Sequence, residues 1–148
     1  MSEKITQLTE KHTALLTRAI DLNRGFRSTS RPDCMIADEV QEAYRTLTLG
    51  MKSIALFENA ICKQSSCMQA FAQRAADIDR STAANRITAN ILLRRHVEDF
   101  EVLLTAFTAI VEHLERAMQV LRNAGRKNEE NRCELPACCS TPGDISIW

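Results

Sequence analysis

Six cysteines are the residues of this chain whose type and spacing could hold a metal ion. Cys62 and Cys67 have the same C-x4-C spacing as Cys133 and Cys138, and four thiolates are a zinc ligand set. Zinc-binding pairs typically have C-x2-4-C spacing and lie on turns. On a continuous helix, positions i and i+5 point about 140° apart, so one ion could not take both thiolates. A metal site therefore requires a turn inside the first pair, and we expect neither a metal nor a cofactor.

The three histidines do not form a catalytic or metal-binding group. His96 and His113 are about 25 Å apart along a helix, so they cannot share a site. His12 lies on an apolar helix stripe, where a single polar residue usually restricts register and oligomeric state. The sequence contains no glycine-rich phosphate loop and no nucleophile elbow. Without a cluster of acid, base or nucleophile, we expect no enzymatic activity.

Arginine is the one compositional bias of the chain. Arg24, Arg27 and Arg31 form a local cluster, because no acidic residue falls between Asp21 and Asp33. The cluster could contact an acidic partner, or it could compensate the negative C-terminal end of a helix. The whole chain carries 19 basic and 19 acidic side chains, so its formal net charge is zero. That balance argues against bulk binding of nucleic acid.

Glycine and proline positions divide the chain into helical segments. Apolar residues three and four apart predict helices at about 3–25, 34–64 and 82–124. The second helix extends to 79 if the polar run at 63–66 does not interrupt it, whereas a break there would produce a fourth helix. Gly125 is expected to end the third helix, and residues 126–148 are expected to form a flexible tail containing cysteine and proline.

The heptad spacing predicts an all-α fold in one domain over residues 1–125. We expect an elongated antiparallel bundle, or a coiled-coil-like hairpin, of three or four helices. On the third helix the apolar stripe begins with Ile87 and Ile91 and continues through Leu93. The predicted interaction seam consists of Ile5, Leu8, His12, Leu15, Leu22, Leu47, Ile54, Val97, Phe100, Leu104, Phe107, Val111, Leu114 and Met118.

Helix lengths connect this architecture to a function. The first helix would be about 36 Å long and the third about 63 Å, so the third cannot be covered by the first alone. Uncovered apolar surface usually marks a partner site. We therefore expect a helical protein–protein interaction module, such as an adaptor, a chaperone-like binder or a complex subunit. Its partners would be other proteins, a second copy in a homodimer, or both.

Two other functions remain open from the sequence. One is a regulatory or dimerisation protein of a transcriptional or signalling system that lacks its own DNA-binding motif. The other is a metal- or redox-responsive protein that uses the two cysteine pairs. The chain has no apolar run near 18 residues, and its first residues, Met1-Ser2-Glu3-Lys4, lack the apolar core of a signal peptide. We expect no membrane span and an intracellular, cytoplasmic location, with the nucleus as the alternative.

Overall fold

The computed structural model describes residues 2–29, 37–78 and 82–134, except for the side chains of residues 78 and 127–134. Three helices account for almost all of these residues: α1 (Ser2–Arg27), α2 (Asp38–Ile78) and α3 (Ala83–Glu134). No strand occurs in the described ranges. The predicted all-α fold is confirmed, and the heptad spacing of apolar residues is its cause.

The end of α1 is set by capping side chains. The hydroxyl groups of Ser28 and Thr29 both donate to the carbonyl oxygen of Gly25, at 2.9 and 2.8 Å. The Ser28 amide donates to the carbonyl oxygen of Arg24 at 3.2 Å. These bonds satisfy carbonyls that a helix end leaves without partners. The helix therefore ends at Arg27, two residues past the predicted end at about 25.

Helix α2 is continuous through the polar run at 63–66, so the alternative of a break and a fourth helix is wrong. Ser65 is buried at 7% exposure, and Met68 beyond it is fully buried. The packed stripe thus continues across the polar run, because Lys63 and Ser66 are exposed while Gln64 contacts His96 of α3. At the other end, Asp38 and Glu39 lie in the first turn, where negative charge favours the helix.

Helix α3 begins as predicted and ends later than predicted. The Asn85 amide donates to Thr82 Oγ1 at 3.4 Å, which makes Thr82 the N-cap. The predicted end at 124 is wrong, because Gly125 lies inside the helix and has no positive φ angle. A glycine inside a helix costs only about 1 kcal/mol, and residues 126–134 contain neither glycine nor proline. Residues 126–134 are therefore helical, while the rest of the expected tail lies outside the described residues.

The chain divides into two compact units, each assembled from parts of all three helices. Unit 1 comprises Met1–Thr17 and Ile54–Ala109; unit 2 comprises Arg18–Ser53 and Ile110–Trp148. In unit 1, Phe57 stacks on Phe107 and Phe71 packs against His96, so α2 and α3 run antiparallel. In unit 2, Arg18 pairs with Glu115, and Gly25 lies beside Arg122, so α1 and α3 run parallel.

Candidate interaction surfaces

The residues predicted as an interaction seam lie in the chain's own cores. Every one of them is buried except Ile5, which is half-buried. Unit 1 buries Leu8, His12, Leu15, Ile54, Val97, Phe100, Leu104 and Phe107, while unit 2 buries Leu22, Leu47, Val111, Leu114 and Met118. These side chains hold the helices of one chain together. A surface for a partner must therefore be sought among exposed residues.

His12 is a polar residue inside the unit 1 core. It is 6% exposed, and its ring meets the Phe100 ring in a T-shaped contact with centroids 5.5 Å apart. Its Nε2 atom is buried without a hydrogen-bond partner. Burial lowers the pKa of His12 below its usual value, because desolvation disfavours the imidazolium form. The arrangement positions a neutral ring and contains no acid–base partner for it.

The burial of His12 predicts a pH dependence of stability. Its pKa is 6.5 in the unfolded chain and lower in the folded one. As the pH falls below 6.5, the unfolded chain takes up a proton that the folded chain does not, so the free energy of unfolding decreases. We expect His12→Leu to remove this loss and to stabilise the protein by about 1–3 kcal/mol, since it deletes an unpartnered buried nitrogen.

Urea unfolding of both proteins across the pH range would measure this effect. Glu58 is half-buried and its pKa is raised by burial, so it also contributes to the pH profile. The difference between the native and His12→Leu curves cancels that contribution and isolates the histidine. Parallel curves for the two proteins would show that the His12 proton is not linked to folding.

In unit 1 a polar contact joins α2 to α3 at the polar run of residues 63–66. Gln64 Nε2 lies 3.4 Å from His96 Nδ1 and donates to the His96 carbonyl oxygen at 3.5 Å. The Phe71 ring also packs against this histidine, with ring centroids 4.8 Å apart. His96 is thus occupied by structural contacts. Its sequence neighbours could not reveal this, because both partners come from another helix.

The cysteine pair on α2 does not form a site. Cys62 and Cys67 are both free and exposed, and the helix between them is unbroken. Their thiols consequently point about 140° apart. Cys133 lies near the end of α3, and Cys138 lies outside the described residues. Within the described part of the chain, no three His, Cys, Asp or Glu side chains are grouped to hold a metal ion.

The arginine cluster follows the charge preference of a helix end. Arg24 and Arg27 are exposed in the last turn of α1, where cations stabilise the negative end of the helix. Arg31 lies outside the described residues. The two described arginines therefore have a structural explanation that requires no acidic partner.

An open groove in unit 1 is lined by charged residues of α1 and by Glu101 of α3. Lys4 Nζ lies 3.0 Å from Glu101 Oε2, and both side chains are about half-exposed. Exposed ion pairs of this kind contribute about 0–1 kcal/mol to stability. Of the groove's lining residues, Lys4 and Glu101 pair with each other, and the others all lie on α1.

The start of α3 exposes a face that the sequence assigned to the core. Ile87 and Ile91 are 61% and 62% exposed, whereas Ala89 and Leu93 are buried at 5% and 6%. The prediction that Ile87 and Ile91 belong to the buried stripe is wrong. At the start of α3 the buried face consists of Ala89 and Leu93. At 100° per residue, the two isoleucines point about 160° away from that buried face.

The exposed face continues along α3 through the rest of unit 1, and Val102 on it is 68% exposed. We name this face the outer stripe of α3. Its members are all exposed and lie on the side of the helix opposite the core: Ala84, Ile87, Ile91, Arg94, Arg95, Glu98, Asp99, Val102, Ala106 and Ala109. A helix with large apolar residues on two opposite faces usually has both faces covered. The sequence itself contains a sign of this second face, because the apolar residues at the start of α3 follow two different helical registers.

Helix α2 has a more basic outer face. Leu49 and Leu56 are 61% and 75% exposed, and Lys52, Lys63 and Arg74 are exposed at helical spacing with them. The apolar residues of this face are fewer and are separated by cations. The face therefore serves as a matched control for substitutions on α3.

No protein-family model, curated protein or solved structure significantly matches this chain. Over the described residues, none of the three helices combines the length and the apolar character that crossing a membrane requires.

Proposed function

We propose that this protein is a helical protein–protein interaction module, of the adaptor or complex-subunit kind, and that the outer stripe of α3 is its contact surface. The exposure of Ile87, Ile91 and Val102, opposite a fully formed core, carries the proposal. The predicted seam residues serve the fold, and the outer stripe serves the partner. The stripe combines these apolar side chains with charged ones, and exposed apolar patches bordered by polar residues often mark a partner site.

The partner expected on such a face is another helix. The outer stripe extends over 26 residues of α3, from Ala84 to Ala109, or about 39 Å. Side chains three and four residues apart on this face would fit between those of a second helix, as they do in coiled coils. A homodimer, another helical protein, or both can supply that helix.

An intracellular, cytoplasmic location belongs to the same proposal. Cys62 and Cys67 are exposed free thiols, and such thiols persist in a reducing compartment. The absence of paired cysteines from the described helices fits that environment and requires no redox role for them.

The double substitution Ile87→Ser/Ile91→Ser tests this surface. Serine and isoleucine have similar helix propensities, and both positions are exposed, so the melting temperature should change little. We expect loss of assembly, measured as molar mass by light scattering and as the set of proteins captured by the immobilised chain. The control is Leu49→Ser/Leu56→Ser on α2, which removes as much exposed apolar surface and should retain assembly.

Identical molar mass and identical captured proteins for native and Ile87→Ser/Ile91→Ser chains would reject the outer stripe as a contact surface. Equal losses in both double variants would mean that assembly responds to general apolar exposure and would also contradict the proposal.

A further inference from the structure

The charged residues of the outer stripe are ordered by sign along α3. Arg94 and Arg95 come first, and Glu98 and Asp99 follow one turn later. All four side chains are exposed, and none forms an ion pair with another described residue. Intrahelical Arg-to-acid pairs four residues apart are the less favourable orientation, since the better one places the acid nearer the N-terminus. The four charges are thus available to a partner.

We propose that the occupant of the outer stripe is a second copy of this chain, with the two α3 helices antiparallel about the midpoint between residues 96 and 97. This inference rests on the proposed function and specifies its partner. Residues equally distant from that midpoint would oppose each other. Arg95 of one copy then meets Glu98 of the other, twice by symmetry, while Arg94 and Asp99 lie on the two sides of the contact, since positions i and i+5 point about 140° apart.

The apolar residues match about the same midpoint. Ile91 would oppose Val102, and Ala84 would oppose Ala109. Ile87 and Ala106 lie at the sides of the contact, about 100° apart around the helix. The predicted contact therefore has a charged centre with apolar layers on either side.

Charge order also selects the direction of the partner helix. A parallel pair in register would place Arg95 against Arg95 of the other copy and Glu98 against Glu98. Like charges facing each other oppose association, whereas the antiparallel pair places Arg95 opposite Glu98. Because the stripe is complementary to itself in this one orientation, a second copy is favoured over an unrelated helix.

Reversing the charges tests this arrangement. The acidic variant is Arg94→Glu/Arg95→Glu and the basic variant is Glu98→Arg/Asp99→Arg. Each variant alone would present one sign of charge to itself, so we expect its dimer to dissociate about tenfold or more readily than the native dimer. An equimolar mixture of the two variants should restore a heterodimer, because each then meets its complement.

Sedimentation equilibrium over a concentration series would measure these dissociation constants, with a mass tag on one variant to identify the heterodimer. The control is Lys63→Glu/Arg74→Glu, which makes the same change in net charge as the acidic variant at exposed positions of α2. It should leave the native dissociation constant unchanged. Circular dichroism would verify that every variant remains helical.

Three results would overturn the second-copy proposal: a native chain that is monomeric at its highest soluble concentration, a dimer indifferent to both reversals, or a mixture that does not recover the dimer. If the native chain is monomeric but Ile87→Ser/Ile91→Ser still loses a captured helical protein, the proposed function stands and only the identity of the occupant is wrong. A native dimer that persists in Ile87→Ser/Ile91→Ser would contradict the second-copy proposal as well, and with unchanged captured proteins it would also contradict the proposed function.

Discussion

Leu104→Asp or Val111→Asp is expected to leave the chain unfolded at 25 °C. Leu104 is 4% exposed in the unit 1 core, and Val111 is fully buried in the unit 2 core. Each substitution removes a packed apolar side chain, at a cost of about 2–5 kcal/mol for a leucine, and buries a carboxylate without a partner. Because single domains are stable by about 5–15 kcal/mol, the sum exceeds what the fold can tolerate.

Far-ultraviolet circular dichroism and thermal melting would measure this loss. His113→Asp is the matched control, because His113 is exposed on the same helix two residues beyond Val111. The control should melt close to the native temperature, as surface substitutions usually change stability by less than about 0.5 kcal/mol. Native-like melting of Val111→Asp would mean that α3 does not present this face to the unit 2 core.

Gly50→Ala is expected to destabilise the protein, although alanine is the better helix former. A Cβ atom at Gly50 would lie 2.9 Å from Leu114 Cδ1 and closer still to Leu114 Cδ2. Leu114 is 2% exposed, so its side chain has little free space into which to move. Overpacking of a core costs about 1–3 kcal/mol, which exceeds the gain of about 0.5–1 kcal/mol from replacing a helical glycine.

Urea unfolding of Gly50→Ala beside Gly125→Ala separates the two effects. A Cβ atom at Gly125 meets no heavy atom within 4 Å, so alanine there should stabilise α3 by about 0.5–1 kcal/mol. Combining Gly50→Ala with Leu114→Ala should show a favourable coupling energy, because the smaller side chain makes room for the methyl group. A stabilised Gly50→Ala protein would show that α2 and α3 are not in close contact at this position.

The helices and most of the core could be predicted from the sequence. Leu8, Leu15, Leu104 and Val111 recur at heptad spacing, and that spacing identifies one face of a helix whatever the face later contacts. The start of α3 near residue 82 could also be predicted, because a capping hydroxyl such as that of Thr82 acts on the amides that follow it in sequence. Such predictions succeed because their interactions lie within a few residues along the chain.

The surfaces could not be predicted in the same way. At the start of α3 the sequence contains two apolar registers, one through Ile87 and Ile91 and the other through Ala89 and Leu93. Side-chain size favoured the isoleucines, yet the smaller register is the buried one. Which of the two registers is buried depends on which face of α3 packs against α2, and the local spacing of apolar residues does not determine that. The candidate contact surface thus consists of the apolar residues that the chain's own helices leave exposed.

The glycines show the same division. Their scarcity correctly indicated long helices, since each one weakens a helix and none interrupts these three. Whether a given glycine is a weak point or a close contact depended on the opposing residue, which is Leu114 for Gly50 and open space for Gly125. The sequence by itself determined where the helices form, because helix formation and apolar periodicity are local. Only the tertiary structure decided which faces are buried, because burial is a property of the neighbouring helix as much as of the residue.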